Sequence, residues 1–75
     1  MAIKKLTKVQ KYNKAKRGVN KFANDYNRKR PSDVDLYFVI YFLRDEATRA
    51  QEKTIMNIFK KKTGDSLTSA MSEYL

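Results

Sequence analysis

Basic side chains are concentrated in the first thirty residues of this 75-residue chain. Residues 1–30 carry eleven Lys and Arg side chains against one acid, Asp25, for a net charge of +10. Residues 31–75 carry six basic and seven acidic side chains, for a net charge of −1. Lys and Arg neutralise phosphate groups, and an asymmetry of this size indicates a polyanionic partner. The candidate nucleic-acid-binding residues are Lys4, Lys5, Lys8, Lys11, Lys14, Arg17, Lys21, Arg28, Lys29 and Arg30.

Two further groups of polar side chains could contact the same ligand. Amides can reach phosphate oxygens or base edges, and an α-helix fits the major groove of DNA. Four amides recur on one side of the first predicted helix: Asn13, Asn20, Asn24 and Asn27. A solvated helix face is the simpler interpretation of this row. The run Lys60–Lys62 is most simply a helix C-terminus that complements the helix dipole, with a second phosphate contact as the alternative.

The residues needed for catalysis or metal binding are nearly absent. The chain contains no His and no Cys, which removes imidazole acid–base chemistry, thiol nucleophiles and zinc sites of the Cys/His type. Helix capping and surface ion pairs explain its two carboxylate pairs. These pairs are Asp33 with Asp35 and Asp45 with Glu46. The segment 63–66 contains a glycine but lacks the residue order of a P-loop. We therefore expect no enzyme activity, no cofactor and no metal site.

An apolar patch gives a second functional hypothesis. A chain of this length can scarcely bury all of its aromatic and aliphatic side chains by itself. Tyr37 and Tyr41 are four residues apart and lie away from the predicted core-facing positions. Exposed tyrosines are common at protein interfaces. The candidate protein-interface residues are Tyr37, Tyr41, Ile55 and Phe59.

The cationic residues require a helix to position them, and the sequence predicts one over residues 10–29. Pro31 disfavours the helical conformation in the residue before it, so the helix should end near Lys29. Its apolar residues recur every three or four positions and form one face: Tyr12, Ala15, Val19, Phe22, Ala23 and Tyr26. The helix therefore has an apolar, an amide and a cationic side.

A long central helix is predicted over residues 33–62. Ser32 and Asp35 form a capping-box pattern at its start, and no Pro or Gly follows before Gly64. The run 36–43 is rich in β-branched and aromatic residues, which also suits a strand. We prefer a helix because the chain offers no second strand to pair with it. A near-heptad row along this helix could also pack against the same helix of a second copy, which gives a helical dimer as an alternative. The row consists of Leu36, Ile40, Leu43, Ala47, Ala50, Thr54 and Ile58.

A short third helix is predicted over residues 66–74. Gly64 is placed to end the central helix in the left-handed conformation, and Asp65 and Ser66 can start the next helix. The expected fold is therefore all-α, with three helices in one small domain over residues 1–75. This domain combines a basic N-terminal helix in residues 1–30 with a charge-balanced core in residues 31–75.

These features predict a small nucleic-acid-binding protein that acts in regulation or DNA architecture and contacts phosphates through its N-terminal helix. DNA is expected rather than RNA. The alternative is an accessory protein that docks on a larger host protein through the Tyr/Phe/Ile patch and inhibits or modulates it. The short, Lys- and Asn-rich composition is typical of such phage or plasmid products. A second copy of the same chain, forming a homodimer, is a further alternative for the partner.

Membrane association is not expected. The longest apolar run, residues 36–43, is too short to span a bilayer, and the N-terminus shows no signal-peptide pattern. The apolar face of the first predicted helix lacks the Trp and Leu side chains by which interfacial helices adhere to lipid. We therefore expect a cytoplasmic protein.

Overall fold

Helices account for most of the residues that the computed structural model describes, which are residues 6–74. Helix α1 spans Lys8–Asn27 and α2 spans Leu36–Tyr41, which continues into a π-helical segment over Phe42–Glu46. Helix α3 spans Arg49–Thr63 and α4 spans Leu67–Tyr74. The all-α prediction is confirmed, and no strand occurs in the described range. No helix there is long and apolar enough to cross a membrane.

Helix α1 begins two residues earlier than predicted because Thr7 and Gln10 form a capping box. The Gln10 amide donates to Thr7 Oγ1 over 3.1 Å, and the Thr7 amide donates to Gln10 Oε1 over 2.9 Å. These bonds satisfy backbone groups that a helix start leaves without partners. The helix ends at Asn27, and Lys29 turns the chain in the left-handed conformation with φ of 54°.

The prediction of one continuous central helix is wrong. The amide of Ala47 bonds to the carbonyl of Phe42 over 2.7 Å, which widens the last turn into a π-helix, and Ala47 itself is extended. Thr48 then caps a new helix, because its hydroxyl accepts from the Gln51 amide over 3.2 Å and its amide donates to Gln51 Oε1 over 3.1 Å. The chain therefore folds back at Ala47–Thr48.

The other helix boundaries agree more closely with the sequence. Residues 36–43 are helical, as preferred over a strand. The cap of α2 is Asp35 rather than Ser32, since the Asp35 carboxylate accepts from the Phe38 amide over 3.1 Å. Gly64 ends α3 with φ of 81°, as predicted, and Ser66 accepts from the Ser69 amide at the start of α4.

Helix α1 lies between α2 and α3. An ion pair joins Lys21 to Asp33 just before α2, and another joins Lys11 to Glu46 just after it, so α2 runs antiparallel to α1. Contacts with α3 run in the opposite sense: the ring centroids of Phe22 and Phe59 lie 5.4 Å apart, and Asn27 Nδ2 donates to the carbonyl of Lys62 over 2.8 Å. Helices α1 and α3 are therefore parallel.

The core forms where these three helices meet α4. The predicted apolar face of α1 is confirmed, with four residues fully buried and Tyr12 and Tyr26 packed at its margin. Tyr74 of α4 packs edge-on against Phe22, with ring centroids 5.0 Å apart, and its hydroxyl donates to the carbonyl of Arg30 over 3.0 Å. The near-heptad row does not form one stripe, because Ala50 and Thr54 are exposed while Ile55 is buried.

Candidate nucleic-acid interface

One row of residues on α1 is exposed along its whole length. Its members are separated by four, three, four, three and four positions, so they follow one another along a single side of the helix. We call this row the crest: Gln10, Lys14, Arg17, Lys21, Asn24 and Arg28. Four of its six side chains are cationic, and they are four of the ten residues that the sequence predicts as phosphate contacts.

A second cationic feature lies beside the crest, where α1 and α3 run parallel. An open groove of about 480 Å³ is lined by Lys16, Arg17 and Asn20 of α1 and by Ile58, Lys61 and Lys62 of α3. No carboxylate lines it. The bond from Asn27 to the Lys62 carbonyl fixes the end of α3 against α1. We call this feature the cationic groove, and it brings together basic residues that are far apart in the sequence.

Arg17 belongs to both features. It lines the cationic groove on the α3 side of α1, and on the α2 side it lines a second concavity with Lys14, Lys21 and the carboxylates of Asp33 and Asp35. Lys14 Nζ lies 4.4 Å from the ring centroid of Phe38, and Lys16 Nζ lies 4.4 Å from that of Tyr12. Cation–π contacts of this kind restrict a lysine without neutralising its charge. The cations around Arg17 are thus partly ordered and still able to bind an anion.

Among the described residues, three of the predicted phosphate contacts are paired with carboxylates of the same chain. Lys11 Nζ donates to Tyr41 Oη over 3.3 Å and to Glu46 Oε1 over 3.2 Å, with both partners of the ion pair only about a quarter exposed. Arg30 Nε lies 3.2 Å from Oδ1 of Asp25, which is buried. Lys11 and Arg30 therefore hold the fold together, and we remove them from the candidate interface.

The third pair, Lys21 with Asp33, is of a different kind. The side chains are 58% and 79% exposed, so solvent screens their attraction strongly. Their hydrogen bond raises the pKa of Lys21 and lowers the pKa of Asp33. An exposed pair costs little to open, and Lys21 stays in the candidate interface.

The Lys11–Glu46 pair makes folding stability depend on pH. The hydrogen bond between Glu46 and Lys11 lowers the pKa of the Glu46 carboxyl below its ordinary value of 4.5, and the hydrogen bond with Tyr41 contributes in the same direction. A carboxyl whose pKa is lower in the folded state stabilises that state above pH 4.5, and this contribution is lost as the pH falls through the folded value. We expect Glu46→Gln to lower the thermal unfolding midpoint at pH 7, with the difference from the unmodified protein shrinking steadily below pH 4.5.

Calorimetry between pH 3 and pH 8 measures this effect. Glu73→Gln, which changes an exposed carboxylate with no ion pair among residues 6–74, is the matched control and should show no comparable loss at neutral pH. A difference between Glu46→Gln and the unmodified protein that stays constant down to pH 3 would contradict the role assigned to the pair.

The remaining predicted contacts lie outside the central site. Lys4 and Lys5 lie outside the described residues. Lys8 is exposed at the first turn of α1, and Lys29 is exposed in the turn that follows this helix. The structure also adds residues that were not selected: Lys16, Lys61 and Lys62. The Lys60–Lys62 run was the only signal for two of them.

The expected apolar interface is largely absent, and this is a correction. Ile55 and Phe59 are both 0% exposed, because the turn at Ala47–Thr48 places α3 against α1 and Phe59 stacks on Phe22. Tyr41 is half-buried beside Lys11. Of the four predicted interface residues only Tyr37, 72% exposed, remains on the surface.

An apolar groove nevertheless remains where α2 and the π-helical segment meet α3 and α4. Its apolar lining consists of Ile40, Leu43, Met56 and Met71, and its volume is about 370 Å³. Two charged side chains also line it, Glu52 from α3 and Arg44 from the π-helical segment, which pairs with the exposed Asp45.

Comparisons with known proteins add no identification. No family model matches the chain, and no curated protein or solved structure is significantly similar to it. Within residues 6–74 no three carboxylates lie close enough together to hold a metal ion. The site is thus defined by its own geometry, a cationic surface built from two parallel helices.

Proposed function

We propose that the protein binds nucleic acid, and DNA in the first place, through the crest of α1 and the adjoining cationic groove. The observation that carries this proposal is the groove itself, in which four cations from two helices meet without a lining carboxylate. A regulatory or architectural role in the cytoplasm is consistent with such binding and belongs to the same proposal.

The electrostatics of the groove favour a phosphate ligand. Like charges that line one groove repel one another, and Lys16, Arg17 and Lys61 stand on two helices that are packed together. A bound phosphate replaces this repulsion with charge-assisted hydrogen bonds. Asn20 at the groove and Asn24 on the crest supply neutral donors for further phosphate oxygens.

A salt titration tests the proposal. If about six phosphates are neutralised, the logarithm of the association constant falls against the logarithm of the salt concentration with a slope near −5. Between about 50 and 200 mM salt this slope corresponds to a loss of about a thousandfold in affinity. Fluorescence anisotropy with a labelled 20-bp duplex measures it. Binding that does not weaken over this range would reject phosphate contacts as its source.

Self-association is a second candidate, and the apolar groove is the observation that favours it. We propose that another copy of this chain covers the groove rather than an unrelated protein. With a two-fold axis lying along the groove, Arg44 of each copy would face Glu52 of the other. The rim is then complementary to itself, and the apolar linings of the two copies cover one another.

Charge reversal tests this self-complementarity. We expect a concentration-dependent dimer in sedimentation velocity, weakened by Arg44→Glu alone and by Glu52→Arg alone because each brings like charges together. The double reversal should restore the dimer, since it exchanges the two signs. A chain that stays monomeric at about 100 μM, or a double variant weaker than both single ones, would count against the second copy.

A further inference from the structure

We infer that α3 reads base sequence in the major groove of duplex DNA, while α1 supplies the phosphate contacts. This inference rests on the proposed function and deepens it. It assigns a role to a row of α3 side chains that neither the crest nor the cationic groove contains: Arg49, Lys53, Asn57 and Lys60.

The position of α3 in the fold makes it the helix best able to enter a groove. Helix α1 has neighbours on both sides, since a Cβ at Gly18 would lie 3.3 Å from Val34 near the start of α2, and Phe22 packs on Phe59 of α3. Helix α3 packs mainly on α1 and α4, and its Glu52 and Met56 line the apolar groove beside α2. A helix with side chains is about 10–12 Å wide, which matches the roughly 12 Å major groove only if one side is free.

The side chains on the free side of α3 have the chemistry that base reading needs. Arg49, Lys53, Asn57 and Lys60 are separated by four, four and three positions, so they share one face, and all four are exposed. Arg and Lys donate to the O6 and N7 acceptors of guanine, and Asn can pair with adenine through two hydrogen bonds. Within residues 6–74 none of the three cations in this row forms an ion pair.

The short connection that precedes α3 and the neighbouring cationic groove both agree with placing α3 in the major groove of DNA. Only Ala47 and Thr48 separate the π-helical segment from α3, a short turn comparable to that of helix-turn-helix units, in which the second helix reads the DNA. Lys61 lies next to the reading row and also lines the cationic groove. With α3 in the major groove of DNA, the cationic groove and the crest of the protein would meet the phosphates along one side of that major groove.

Selection from a random duplex library tests the inference. The 75-residue protein, Arg49→Ala, Asn57→Ala and the crest variant Lys14→Gln/Arg28→Gln are each incubated with 30-bp duplexes carrying a randomised centre, and bound DNA is sequenced. We expect the unmodified protein to enrich a motif and each α3 variant to lose about 5- to 100-fold of discrimination at individual positions. The crest variant should weaken binding to all sequences while keeping the motif. Circular dichroism confirms that each variant is folded.

The outcomes separate the two proposals. Duplex binding without any enriched motif would overturn base reading by α3 and leave phosphate binding intact. A motif that survives in both α3 variants but disappears in the crest variant would also overturn it, because α1 would then be the reading helix. Failure to retain any duplex at low salt would reject the proposed function itself.

Discussion

Neutralising the cationic groove should remove most of the affinity for duplex DNA. In the variant Lys16→Gln/Arg17→Gln/Lys61→Gln/Lys62→Gln, four phosphate contacts are lost, and each contributes about 0.9 to the salt slope. We therefore expect the slope to fall from about −5 to between −1 and −2, and the affinity at about 100 mM salt to fall by about a thousandfold. Anisotropy titrations at four salt concentrations measure both quantities.

Two controls distinguish this geometry from a general effect of charge. In the first control each Lys of the four is replaced by Arg and the Arg by Lys, which keeps every positive charge. The slope of log affinity against log salt concentration should then differ from the original by less than about one. Arg44→Gln removes a cation that lines the apolar groove and belongs to neither the crest nor the cationic groove, and it should change the slope little. Because the substitution of the four cations also relieves repulsion, the thermal midpoint of the quadruple variant should not fall. An unchanged slope in that variant would place the phosphates elsewhere.

Truncating Phe59 should strongly destabilise the protein. Phe59 is 0% exposed, and its ring centroid lies 5.4 Å from those of both Phe22 and Tyr26. Removal of a buried phenylalanine side chain costs about 3–5 kcal/mol. A domain of this size has a total stability of only about 4–11 kcal/mol, so Phe59→Ala should lose a large part of it.

Urea titration followed by far-ultraviolet circular dichroism measures the loss. Tyr37→Ala is the matched control, since it removes an aromatic ring that is 72% exposed and should change stability by less than about 0.5 kcal/mol. Equal effects of the two substitutions would mean that Phe59 is not in the core and would restore it as a surface residue.

The sequence contained the signal for the turn that decides the position of Phe59. Both α1 and α3 begin with Thr followed three residues later by Gln, at Thr7–Gln10 and at Thr48–Gln51. We expected a break only at Gly or Pro, and the second capping box lies in the middle of an apparently continuous pattern. When that turn is missed, the helical period of α2 is continued into α3. The core-facing positions of α3 are then wrong, and Ile55 and Phe59 are assigned to the surface.

Elements with strong local signals were predictable. Pro31, the apolar spacing of α1 and Gly64 fix the ends and the buried side of their helices through short-range effects. The crest follows directly, because the exposed side of a helix is opposite its apolar side.

The cationic groove could not be predicted in this way. Lys16 and Lys61 are 45 positions apart, and only tertiary packing decides that α3 lies along that flank of α1. The same packing decides that Lys11 meets Glu46, which removes a cation from the interface. Neither pairing leaves a periodic pattern in the sequence.

The parallel arrangement of α1 and α3 has a consequence for the speed of folding. Helices joined in a simple up-and-down order make contacts between near neighbours in the chain, whereas Asn27 and Lys62 are 35 residues apart. Docking α1 on α3 must therefore wait until the intervening chain has crossed back, and loop closure of this length slows the rate-limiting step. During synthesis α1 emerges first, so Phe22 stays without its partner until Phe59 has also left the ribosome.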